Sequence, residues 1–174
     1  MFTVRRFLVW LSRIHHSRGF GIQSPTDYAF VHYVVNEHWP YYAYSELDAL
    51  SDDWLVRKLG RLYFRLANWR QPQAMTLDEY QPWWQAGCRK ANWVPEVSKV
   101  ELGRVTIEDH EAWEAMAAKC DRQSVVVVEG IWRDRKQWEN IVGDPRAVIT
   151  FDLYYCGIVL FDSSRHKKNY IVNF

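Results

Sequence analysis

Ser124-Val125-Val126-Val127-Val128 is the stretch on which the fold turns. Four consecutive β-branched residues show no polar alternation, so neither side of the strand they form can face water. Such a run belongs inside a sheet covered on both faces by helices. Its flanks agree. Upstream, Trp113, Met116, Ala117 and Cys120 recur at helical spacing behind Thr106-Ile107-Glu108-Asp109, a loose capping-box pattern. Downstream, Trp138, Ile141 and Val142 mark a short helix closed by Gly143, and the chain then turns to strands at 147–153, 157–161 and 168–174. Earlier strands are expected at 74–77 and 97–102, with a helix at about 82–90 between them. Strand and helix alternate through the middle of the chain, which predicts an α/β fold with an antiparallel hairpin, 149–161, at its C-terminal edge.

The clearest helical pattern lies further upstream. Leu55, Leu59, Leu62, Tyr63 and Leu66 share one face and Arg57, Lys58, Arg61 and Arg65 another, with Asp52 and Asp53 at the start and Pro72 beyond the end. A basic stripe of this kind reads as the wet face of a helix before it reads as a phosphate-binding one. Residues 1–16 form a second amphipathic pattern through Phe7, Trp10, Leu11 and Ile14. The first twenty residues carry Arg5, Arg6, Arg13 and Arg18 and no acid. The structural expectation is a helix docked by its apolar stripe with its arginines in water. The functional alternative is a membrane-surface or RNA-binding arm. A helix capped by Ser24, with Pro25 at its first position, is expected to run to about Asn36, and Trp39-Pro40-Tyr41-Tyr42-Ala43-Tyr44 reads as a loop.

At 174 residues the chain fits a single domain, with 1–44 as an N-terminal helical extension and 45–174 as the α/β core. A net charge of +1 supplies no general attraction to nucleic acid, which makes that partner unexpected, and leaves a protein or a small ligand, with a homo-oligomer compatible. Aromatic residues make up 16% of the chain, enough to anchor a core or line a pocket. Cys88, Cys120 and Cys156 form no CxxC pair, so a structural zinc or a disulfide framework is not expected and a reducing cytoplasm is. The apolar run 7–11 is too short to span a bilayer and sits among arginines, so neither membrane insertion nor a signal peptide is expected. There is no Walker A, GxGxxG, GxSxG or HExxH pattern, which removes the common nucleotide, serine and zinc hydrolases. Glu108, Asp109, His110 and Glu111 are consecutive and diverge on a helix, so they read as a cap and first turn rather than a metal site. No pair of carboxylates stands out, and the catalytic residues stay unknown.

Gly19-Phe20-Gly21-Ile22-Gln23-Ser24-Pro25 resembles the GxGIHSPF opening of a bacterial group of class I S-adenosylmethionine-dependent methyltransferases. The resemblance continues in Tyr41-Tyr42-Ala43-Tyr44, in residues 57–72, similar to the family's KxxRLLFRLxNYFQP segment, at 124–132, and at 149–161, similar to its V-x-x-D-L-F-x-x-G-I-x-F-F hairpin. It implies a Rossmann-like, mostly parallel sheet with helices on both faces, here reduced.

The departures fall where the family binds its cofactor. Its ELGxxxG loop corresponds to Leu77-Asp78-Glu79-Tyr80-Gln81-Pro82-Trp83-Trp84, where bulky residues replace the glycines that let backbone approach a ligand. Asp78 and Glu79 occupy the acidic part of that loop, and Glu129 stands at the family's D-D-I motif, in Glu129-Gly130-Ile131. These three are the remnant cofactor-binding positions that the resemblance implies. Between Trp84 and Trp113 there is too little chain for the strand that carries the ribose-binding acid. The expectation is a methyltransferase-like protein with a degenerate site, without catalysis or a bound cofactor, that works by binding. The alternatives are an active methyltransferase that holds S-adenosylmethionine in an altered pocket, and an RNA-binding accessory using Arg5, Arg6, Arg13 and the 57–65 stripe.

Overall fold

In the computed structural model, which describes residues 2–174, the valine run lies inside β4 (Cys120–Glu129). β3 (Val100–Thr106) pairs with β4 in parallel, and β6 (Cys156–Leu160) flanks its other side antiparallel. β5 (Ile149–Asp152) follows β6, and β7 (Lys168–Ile171) closes the sheet beside β5, for the order β3-β4-β6-β5-β7. β1 (Ala74–Thr76) and β2 (Asn92–Val94) make a separate parallel pair. The chain is α/β, with two corrections to its expected sheet. Because β6 runs against the other four strands and inserts between β4 and β5, the sheet is mixed rather than mostly parallel, with two parallel and two antiparallel pairings. The 149–161 hairpin is likewise internal, not an edge. Every residue of β5 and β6 is buried, and the outer position falls to β7, whose exposed Lys168 and Asn169 suit a wet margin.

The two faces of β4 explain its composition. Val125 and Val127 pack with α4 (Trp54–Arg70), α5 (Gln81–Gly87) and the segment from α2 (Pro25–Phe30) through a π-helical turn at Val31–Val35. Val126 and Val128 pack with α6 (His110–Ala117) and α7 (Arg135–Gly143). Both sides are dry, so both carry valine. Local signals set the helix starts. Asp53 accepts hydrogen bonds from the Leu55 and Val56 amides to open α4, and Ser24 accepts one from Asp27 to open α2. Asp109, three residues beyond Thr106, caps α6 through the Ala112 amide at 2.9 Å. Two close approaches fix the layers. A Cβ at Gly60 of α4 would stand 2.4 Å from Trp83 of α5, and one at Gly157 of β6 would stand 2.2 Å from Trp138 of α7. α3 (Ala43–Asp48) takes the end of the expected aromatic loop, because Tyr44 and Leu47 find buried positions there.

α1 (Phe2–Ser12) reverses its expected docking. Val4, Phe7, Leu8 and Leu11 are 65, 58, 56 and 46% exposed. Arginines make its contacts with the body instead. Arg13, just past the helix, pairs with Asp152 at 2.7 Å, Arg6 stacks over Trp54 at 3.9 Å, and Arg5 donates to the Tyr154 hydroxyl at 3.3 Å. At 100° per residue Arg6, Val9 and Arg13 share one face, and the buried carboxylate of Asp152 recruits it. No helix among the described residues is long and apolar enough to cross a membrane.

Candidate functional site

In open α/β sheets ligands bind outside the carboxyl ends of the strands. Here that margin gathers the residues after β1, the ends of β3, β4 and β5, the start of β6, and the first half of α4. It divides into a closed half and an open half.

The closed half is built on Arg104, which projects from β3 beneath α4 and α5. Its Nε donates to Glu129 Oε2 at 2.7 Å and its Nη1 to Asp78 Oδ2 at 3.3 Å, while Nη2 donates to Glu79 Oε1. The guanidinium also lies 4.8 Å from the Tyr80 ring centroid. The three acidic positions expected from sequence are thus brought together on one internal cation. Tyr63 of α4 donates to the same Glu129 oxygen at 2.7 Å, and the Trp84 indole, stacked on Tyr63 at 4.5 Å, donates to Asp78 at 3.3 Å. Burial pushes the Tyr63 hydroxyl well above its ordinary pKa, and the Glu129 charge adds to the effect. Burial opposes the Arg104 charge, but its hydrogen bond to Glu129 and its acidic neighbours outweigh that and raise its pKa. A guanidinium whose donors are spent on its own chain's acids leaves those acids no free oxygen pair for a ribose. Arg104 carried one sequence signal, a lone cation within an apolar strand, and the strand expected to stop by Gly103 hid it.

The open half is a groove between α1 and α4 of about 720 Å³, adjoined by a smaller lobe of about 240 Å³ under α4. Asn36, His38, Trp54, Lys58 and Phe174 line both lobes. The Lys58 ammonium sits 4.0 Å from the Phe174 ring centroid and 5.4 Å from that of Trp54. Burial, then the Arg65 charge, pushes its pKa down to about 8. Burial, then the charges of Arg65, Lys58 and Arg18, lowers the His38 pKa as well. Of the basic stripe on α4, Arg65 is structural, donating to the Val34 and Val35 carbonyls at 2.6 and 2.8 Å, and Arg61 pairs with Asp48. Among the described residues Arg57, Lys58 and Arg18 have no ion pair. Asp152, at the end of β5, is the buried partner of Arg13 and Arg135. Burial raises its pKa, but Arg13, Arg135 and the Tyr154 amide outweigh that and hold it below the ordinary carboxylate range.

Among the described residues no group of three or more His, Cys, Asp or Glu could hold a metal ion. Comparison with protein-family models, with curated proteins and with solved structures gives no match to this chain.

Proposed function

We propose that this chain is a methyltransferase-like binding protein, built on a reduced Rossmann-like fold, that does not transfer methyl groups. The observation that carries the reading is Arg104, bonded to Asp78, Glu79 and Glu129 where the resemblance puts the cofactor. Helices on both faces of the sheet support the same kinship. A usable cofactor turn needs backbone N–H groups that a ligand can approach. The turn here carries Tyr80, Trp83 and Trp84, all buried, and the Tyr80 amide is spent on Asp78 at 2.5 Å. Binding work therefore falls to the open half of the same margin, where a groove exists and Arg57, Lys58 and Arg18 have no ion pair among the described residues. Three free cysteines suit a reducing, cytoplasmic setting. The RNA-accessory alternative loses ground, because Arg5, Arg6, Arg13, Arg61 and Arg65 are engaged within the chain.

Calorimetric titration with S-adenosylmethionine tests the proposal. The expected outcome is no saturable heat with the unmodified protein. Saturable micromolar binding would overturn the reading and make an active methyltransferase with an altered pocket the better account.

A further inference from the structure

The open groove has more positive charge than its own chain neutralises. Lys58, Arg57 and Arg18 face it without an ion pair among the described residues, beside Arg61 and Arg65, and the one acid on its lining, Glu37, accepts from the Tyr41 hydroxyl at 2.8 Å. A partly buried cation with no anion is costly unless something else supplies the charge. A second, independent observation points the same way. Asn36 lines both lobes, and its Nδ2, tucked just behind that surface, has no hydrogen-bond partner. A buried donor of this kind needs an acceptor. Much of the rest of the wall is aromatic, with Trp54, Phe174, Phe7 and Trp10 around the cations.

We propose that this groove binds a phosphate monoester carrying an aromatic or apolar group. Lys58 and Arg18 hold the phosphate, with Asn36 able to turn its amide toward it, and Trp54, Phe174 and Phe7 take the apolar part. A carboxylate would offset one of these charges. A phosphate monoester brings about two negative charges near neutral pH and three acceptor oxygens, which match several unpaired donors at once. The inference rests on the reading above, in which the open half is the working half. The same chemistry can arrive as a soluble ester or as a lipid headgroup at a bilayer, and the outward apolar residues of α1 stand beside the groove.

The test titrates the full chain by calorimetry with phenyl phosphate, inorganic phosphate and phenol, and sediments it with phosphatidylcholine vesicles with and without phosphatidic acid. Phenyl phosphate is expected to bind one to one, at least about tenfold tighter than inorganic phosphate, with phenol silent. Lys58→Met and Arg18→Gly should each weaken it by about tenfold or more with thermal unfolding intact. Arg18 has a φ of +52°, so glycine there removes charge without strain. Binding of phenyl phosphate in solution assigns a soluble ester. Binding only to phosphatidic acid vesicles, lost in Lys58→Met, assigns a lipid headgroup. Binding to neither, or binding that both variants leave unchanged, overturns the proposal. The cofactor titration is a separate readout, so failure of the methyltransferase-like reading and failure of this one cannot be confused.

Discussion

The two halves of the sheet margin hold similar groups and treat them oppositely. Around Arg104 the guanidinium donors, the Tyr63 hydroxyl and the Trp84 indole all find carboxylate acceptors from the same chain, and of the neighbouring groups the buried Trp83 indole N–H has none. Around Lys58 several cations and a buried amide meet aromatic rings and one distracted glutamate. The contrast teaches that a cleft at the expected place in a fold does not mark the working site. Whether the charged groups within it are paired does. The closed half contributes to stability, and the open half carries a cost that a ligand would relieve.

Three measurements break or sharpen that contrast. Arg104→Met removes the one cation shared by three acids and leaves their charges crowded, so urea unfolding should show a loss of about 3–5 kcal/mol. A loss under about 1 kcal/mol would mean that the closed half is not held by this network. Lys58 should show the opposite sign. Its pKa falls from 10.5 in free chain to about 8 in the fold, so the unfolded protein binds that proton more tightly. Stability should rise with pH between those values, by on the order of 2 kcal/mol after allowing for partial exposure. Tyrosines such as Tyr63, whose pKa is raised, work against stability above about pH 10, so the quantity to measure is the difference between the unmodified protein and Lys58→Met across pH 8–10. A flat difference would show that Lys58 is not short of an anion. The smallest effect is expected at Leu8→Ser and Leu11→Ser, within about 0.5 kcal/mol each, because both side chains are already in water. A loss near 2 kcal/mol would place α1 against the body by its apolar face.

Parts of this were legible in sequence for identifiable reasons. The valine run fixes an interior strand because missing alternation has one physical meaning, and Asp53, Ser24 and Pro25 signal helix starts through local hydrogen bonds and backbone geometry. The three acids of the candidate site stood out only through the family resemblance, and the structure does gather them. The misses have long-range causes. β2 is three residues long and is held by β1 rather than by its own pattern. The position of β6 between β4 and β5 follows from pairing across the sheet, which periodicity does not encode. For α1 the amphipathic spacing was visible, but which face docks depended on Asp152, Tyr154 and Trp54, all distant in sequence. Arg104 is hard to place from sequence for a similar reason, since its partners lie 25 or 26 residues away on either side.

The arginine contacts of α1 have a consequence for how that helix lets go. Detaching it would transfer only part of its apolar surface to water, because Val4, Phe7, Leu8 and Leu11 are already about half exposed. Its amide protons should therefore exchange through a local opening with a shallow urea dependence, well below that of the global transition. Opening would instead separate charges, chiefly Arg13 from the depressed carboxyl of Asp152. Acid, which protonates that carboxyl, should then free the helix sooner than urea does, giving a terminus released by ionic conditions while the sheet beneath it stays folded.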